Sequence, residues 1–122
     1  MPLTFHDLCA EIKKNVKVYS LKEVKNMMDK NEDFMLVDIR EDNEFQKGNI
    51  KNSVHIGKGI IERDIHLFTG DYNKKIVLYC GGGYRSVIAA DNLGKMGYTN
   101  VYSMDGGWKG WNAEDLEING EF

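Results

Sequence analysis

Cys80 stands at the end of the apolar run Ile76-Val77-Leu78-Tyr79 and is followed by Gly81-Gly82-Gly83-Tyr84-Arg85-Ser86. Three consecutive glycines let a backbone turn its N–H groups inward, and a helical apolar pattern (Ala89, Ala90, Leu93, Met96, ending at Gly97) begins directly after them. Strand, glycine loop and helix start together would surround one sulfur with backbone donors and the positive end of a helix, which favours thiolate over thiol. Cys80 is therefore the expected nucleophile. The backbone amides of Gly81, Gly82, Gly83, Tyr84 and Arg85 are the expected cradle for its sulfur or for a bound anion. Alkylation of Cys80 below pH 7, far faster than that of Cys9, is the chemical signature of such a thiol. Cys9 itself falls on the apolar side of an expected N-terminal helix, with no loop or charge partner in the sequence, and reads as core filler.

A bowl of donors around a sulfur can hold the thiolate, hold a persulfide made from it, or bind an oxyanion that the thiolate attacks. Loop size separates these uses. Four residues lie between Cys80 and Arg85, one fewer than in the C-x5-R loop with which cysteine phosphatases surround a phosphate, and the smaller ring better fits one added sulfur. Cysteine phosphatase or arsenate reductase chemistry is the disfavoured alternative. Gly81-x-Gly83-x-x-Ser86 with Asp105 further on imitates a dinucleotide fingerprint, but Ser86 replaces its third glycine and too little chain follows for that fold. A phosphate-binding Walker loop is excluded, because no Lys-Ser or Lys-Thr follows the glycines. Arg85 opens a helix, where a cation is disfavoured, so it needs an acidic partner such as Asp38. Asp38 and Arg40, at the end of another apolar strand, would fix the loop from the side. Ser86 and Glu62 complete the supporting residues, with catalytic and structural roles open for Asp38, Arg40 and Glu62.

The elements that must position these residues follow from periodicity. Thr4 with Asp7 opens a short helix carrying Phe5, Leu8, Cys9 and Ile12 to about Asn15, read as an accessory element over residues 1–15. Residues 16–122 form the main unit. Val16 to Tyr19 reads as a strand, and Ser20 with Glu23 caps a helix ending near Asn31. Phe34 to Ile39 reads as a buried strand, Glu41 to Lys47 as a short helix, Ser53 to Ile56 as a strand and Ile60 to Phe68 as a helix. Val101 to Met104 is the last expected strand, and Trp108 and Trp111 sit on a helical turn that closes the core before a polar tail. Strands alternating with helices give an α/β fold with a mainly parallel sheet.

Composition narrows the partners. A chain of 122 residues, 42% hydrophobic, fits one compact domain able to bury a core without disulfides or metal. Sixteen Lys plus Arg against nineteen Asp plus Glu give a formal charge of −3 with no basic block, so nucleic acid is not an expected partner. No apolar stretch approaches a membrane span, and residues 1–15 lack the apolar centre of a signal peptide, so a cytoplasmic protein is expected. Two distant cysteines and three scattered histidines have no metal-ligand spacing, and no metal or cofactor is expected.

Several motifs together resemble the single-domain rhodanese family, over about Val18 to Trp111. Tyr79-Cys80-Gly81-Gly82-Gly83-Tyr84-Arg85-Ser86 matches the family's Y-C-x-x-G-x-R-S active loop. Val37-Asp38-Ile39-Arg40-Glu41 with Glu44-Phe45 and Gly48-Asn49-Ile50 resembles its V-D-x-R-E…E-F…G-H-I segment, and Gly59-Ile60-Ile61-Glu62 its G-x-x-E. Gly97-Tyr98, Val101-Tyr102, Gly106-Gly107 and Trp111 resemble the closing motifs. Asn49 departs from the usual histidine, and Val54-His55-Ile56 lacks the proline that stiffens the family's pocket wall. The resemblance implies a three-layer fold with a central, mainly parallel sheet of about five strands flanked by helices. It also implies a sulfurtransferase that moves a sulfane sulfur from a donor such as thiosulfate to cyanide, a cellular thiol or a protein acceptor, through a persulfide on Cys80. A persulfide carrier or docking module with little thiosulfate turnover is the alternative from another class. Tyr84, Lys58, Arg63 and His55 are the rim residues expected to choose the partners.

Overall fold

A computed structural model describes residues 2–119. Helix α1 (Phe5–Lys13) starts at Thr4, whose hydroxyl accepts the Asp7 N–H while the Asp7 carboxylate accepts the Thr4 N–H. Strand β1 (Lys17–Tyr19) leads into α2 (Leu21–Asp29), opened by the same reciprocal device between Ser20 and Glu23. Each box occupies otherwise orphaned N–H groups, which explains why both helices begin where the sequence signature places them. The chain continues through β2 (Met35–Asp38), α3 (Asp42–Lys47), β3 (Asn49–Ile50), β4 (Val54–His55) and α4 (Ile61–Asp64). Then follow β5 (Ile76–Tyr79), α5 (Arg85–Lys95), β6 (Val101–Met104), α6 (Gly107–Ala113) and β7 (Ile118–Asn119).

Five strands form one sheet in the order β1-β6-β5-β2-β4, every neighbouring pair parallel. Alternate strand residues serve opposite faces. Val37 and Leu78 join Ile61, Ile65, Ala89 and Leu93 on one side, while Leu36 and Val77 join Val24, Met27, Met104 and Trp111 on the other. The expected three-layer α/β architecture is what the structure contains. From β5 the chain crosses to β6 on one side, and from β2 it passes to β4 on the other, so the carboxyl ends of β2 and β5 frame a switch point. Ligands of open α/β sheets bind in that crevice.

Two details differ from the sequence reading. The helix expected over Ile60 to Phe68 is α4 followed by a tighter 3-10 turn, Ile65–Leu67; Ile60 caps α4 without a side-chain bond, and short helices commonly tighten at their ends. The polar tail contains β7, which pairs antiparallel with β3 through Asn49 opposite Asn119 and Ile50 opposite Ile118. Residues 120–122, the end of the expected 16–122 unit, lie outside the described residues, as does Met1. No helix among the described residues is long and apolar enough to cross a membrane.

Candidate active site

Cys80 follows β5 directly, at the switch point, and is only 1% exposed. Its Sγ accepts the Gly83 N–H at 3.1 Å and donates to Ser86 Oγ at 3.6 Å. Ser86 Oγ lies 2.7 Å from Ser103 Oγ on β6, and both serines are fully buried. A hydroxyl can reverse its role, so an ionised sulfur would accept from Ser86 as well as from Gly83. Ser103 was not legible in the sequence, since a serine in an apolar strand announces no partner.

Helix α6 fixes the outward side of the loop. The Trp108 N–H donates to the Cys80 carbonyl at 2.7 Å and the Lys109 N–H to the Gly81 carbonyl at 3.0 Å. Peptide units are planar and none here is cis, so carbonyls held toward α6 turn the N–H groups of Gly81 and Gly82 the opposite way, toward the bowl. Gly83 adopts φ +95°, with the Gly106 N only 3.2 Å from where a Cβ would stand. Of the expected cradle amides, those of Gly81 and Gly82 are turned toward the sulfur by these carbonyl bonds, and the Gly83 N–H is the one in contact with it among the described residues.

Asp38 and Arg40 are buried beside this loop, at 0% and 3% exposure. Arg40 Nε and Nη2 grip the Asp38 carboxylate at 2.7 to 3.1 Å, the Arg40 N–H adds a third donor, and Nη2 also reaches the Gly48 carbonyl at 2.6 Å. Burial alone would loosen the Arg40 proton, but the bonds and charge of Asp38 outweigh it and push the guanidinium pKa up. The guanidinium carbon lies 4.6 Å from the centre of the Trp108 ring. The pair therefore reaches the loop through Trp108, whose N–H holds the Cys80 carbonyl. Tyr79 sits under the same guanidinium at 6.0 Å, and its hydroxyl accepts the Ile50 N–H and contacts Ser53 Oγ. Burial, with the Asp38 charge second, raises that hydroxyl's pKa strongly and keeps it a neutral hydrogen-bonding group.

The other candidates divide. Arg85 does not pair with Asp38; its Nη2 faces Glu44 Oε1 at 3.8 Å and lies 3.8 Å from the position a Cβ on Gly81 would take, over the loop. Glu44 is the acid that a helix-start arginine requires. Tyr84 is half-exposed beside α1. Glu62 accepts from Asn92 Nδ2 at 2.8 Å, tying α4 to α5 about 10 Å along the helix from Arg85, so it braces the helix and not the loop. Glu62→Ala is expected to lower stability by about 1 kcal/mol, measurable by denaturant unfolding. Among the rim residues, Arg63 is exposed and engaged with its neighbour Asp64, and the Lys58 N–H bonds to the Ile39 carbonyl. His55 supplies the wall that a proline stiffens elsewhere: its ring stacks on Phe45 at 4.7 Å and its Nε2–H donates to the Arg40 carbonyl at 2.7 Å.

Cys9 corrects the sequence reading. Its thiol donates to the Tyr84 carbonyl at 3.5 Å, so it has a loop partner that helix periodicity alone could not reveal. Burial, and then the neighbouring Cys80 charge, push its pKa up. Both cysteines are free thiols. Among the described residues, no group of three or more His, Cys, Asp or Glu side chains is placed to hold a metal ion.

Residues 20–114 match the model of the Rhodanese-like domain. The chain belongs to that family. The structure of a protein of unknown function, possible tyrosine phosphatase, from Rhodopseudomonas palustris superposes on this rhodanese-like domain with a TM-score of 0.85 at 27% identity. That match covers 98% of this chain and 99% of the other. A rhodanese-like domain from Anabaena gives 0.76 at 19% identity, over 85% and 79%. Thiosulfate sulfurtransferase from Pseudomonas aeruginosa gives 0.81 at 19% identity over 90% of this chain, which spans only 21% of that longer protein. At such identities the last two show the fold. No curated protein matches the chain.

Proposed function

We propose that this rhodanese-like domain is a sulfurtransferase with Cys80 as nucleophile and sulfur carrier. The observation that carries the reading is the Gly83 N–H on Cys80 Sγ at 3.1 Å, in a loop whose Cys80 and Gly81 carbonyls are held toward α6. In the first half-reaction the Cys80 thiolate attacks the sulfane sulfur of a donor such as thiosulfate. The donor's S–S bond breaks, sulfite leaves with the electron pair, and Cys80 keeps the sulfur as a persulfide. In the second, cyanide, a cellular thiol or a protein thiol attacks the outer sulfur and Cys80 departs as thiolate. Inward N–H groups stabilise the anionic sulfur of each stage, and burial strengthens them by excluding water. Arg85, over the loop, would meet the anionic part of the donor. Asp38, Arg40 and Ser86 position these groups.

The test is the intact mass of the protein before and after thiosulfate, for wild type and Cys80→Ser, followed by cyanide. Gain of one sulfur by the wild type, removed by cyanide and missing in the variant, is expected. No gain with any donor would overturn the reading in favour of a docking module. The likeness to the Rhodopseudomonas palustris protein, a possible tyrosine phosphatase, favours one second reading, oxyanion chemistry at the same cysteine. Turnover of an aryl phosphate that vanishes in Cys80→Ser would establish it.

A further inference from the structure

Three peptide units around Cys80 have their carbonyls held away from the sulfur. Two are held by α6, at Cys80 and Gly81; the third, Tyr84, is held by α1, through the thiol of Cys9. Planarity again decides the direction of the far side of that unit: with the Tyr84 oxygen drawn toward α1, the N–H of the same peptide, which belongs to Arg85, is turned away from α1. That N–H has no protein acceptor among the described residues. Tyr84 caps α5 without a side-chain bond, so nothing local competes for it. The remainder of α1 is arranged to hold the same residue. The His6 ring meets the Tyr84 ring edge-on at 4.6 Å, Phe5 lies 6.3 Å from it, and Lys13 anchors the other end of the helix on Asp105 at 2.8 Å. Helix α1 precedes the segment that matches the family, residues 20–114.

We propose that Cys9 is a positioning residue for the reaction at Cys80: its S–H fixes the Tyr84–Arg85 peptide so that the Arg85 N–H faces the reactive sulfur. Deepening the sulfurtransferase reading, this adds a further backbone donor, beside those of Gly81, Gly82 and Gly83, for the thiolate and for the outer sulfur of the persulfide. The competing explanation is that the Val87 N–H, which also reaches the Tyr84 carbonyl at 3.2 Å, suffices alone.

The experiment compares wild type, Cys9→Ala and Cys9→Ser in the full chain. Alkylation of Cys80 by iodoacetamide is followed across pH by mass mapping, sulfur gain from thiosulfate is timed by intact mass, and thermal unfolding is recorded alongside. Losing one hydrogen bond that aims a donor predicts Cys80 alkylation and sulfur gain slowed about three- to tenfold near neutral pH in Cys9→Ala. Cys9→Ser, whose hydroxyl donates to the same carbonyl, is expected to return both rates to within about twofold. Wild-type rates in Cys9→Ala would overturn the proposal and leave the task to Val87. So would a serine variant as slow as the alanine one, with rates following thermal stability, since that pattern reports packing. If the wild type gains no sulfur, the sulfurtransferase reading fails, and the alkylation profiles still decide whether Cys9 aims the loop.

Discussion

Gly107→Ala is expected to slow sulfur gain at Cys80 by roughly a hundredfold while leaving a folded protein. A Cβ on residue 107 would stand 2.3 Å from the Cys80 carbonyl oxygen and 2.9 Å from that of Gly81. Both obstacles are backbone atoms of the loop after Cys80, so no side chain can yield. Restoring an ordinary carbon-to-oxygen contact requires the loop and α6 to separate by roughly 1 Å, and a displacement of that size at a reacting centre costs on the order of 10²-fold. The residue also adopts φ +54°, where alanine adds about 1–2 kcal/mol of backbone strain. Timed intact-mass analysis with thiosulfate reads the first effect and denaturant unfolding the second. Gly106→Ala separates them. Residue 106 has φ +80°, but its Cβ would meet only the Leu21 side chain, at 3.5 Å, besides Gly110. That variant should lose stability and keep most of its sulfur gain; near-wild-type gain in Gly107→Ala would refute the role given to α6.

The difference between these two glycines shows where the sequence stops being readable. Cys80, the glycine ring and the start of α5 were legible because they are contiguous: an apolar run, three glycines and a 3.6-residue pattern each have a local physical meaning. Both capping boxes were legible for the same reason, as was the parallel sheet from the alternation of elements. Gly106-Gly107 read only as a turn, since the carbonyls that forbid a Cβ at 107 come from a loop distant in sequence. Trp108 read as core filler, and it does pack beside the core, but its ring under Arg40 and its N–H on Cys80 depend on how α6 docks. Ser103, Cys9 and the β3 to β7 pairing are of the same kind: each meaning resides in a partner the chain reaches only after folding. The pairing of Arg85 illustrates the boundary. Helix electrostatics demand an acid near its guanidinium, yet choosing Glu44 over Asp38 requires knowing that Asp38 is already committed to Arg40.

That commitment makes Asp38 the position where removing one charge should destabilise most. Asp38→Asn leaves the Arg40 guanidinium, 3% exposed, without its counter-charge, a loss worth about 3–5 kcal/mol when one partner of a buried pair is removed. The amide can still accept one bond but cannot match the two-pronged grip of the carboxylate. Part of the domain's total stability, about 5–15 kcal/mol for proteins in general, would go with it. A urea midpoint shift measures the loss, and a change below about 1 kcal/mol would show that the pair is screened and unimportant. The double variant Asp38→Leu, Arg40→Met then separates stability from function. Apolar replacement of a whole buried pair is often neutral, so unfolding should return toward the wild-type midpoint. Sulfur gain should not return with it, because methionine cannot bond to the Gly48 carbonyl or offer a cation to the Trp108 ring, and Trp108 is the link that holds the Cys80 carbonyl outward. A stable but slow double variant would mean that the buried charges are kept for the geometry of the loop at a cost the fold could otherwise avoid. A stable and fast one would reduce them to one of several ways of filling the same space.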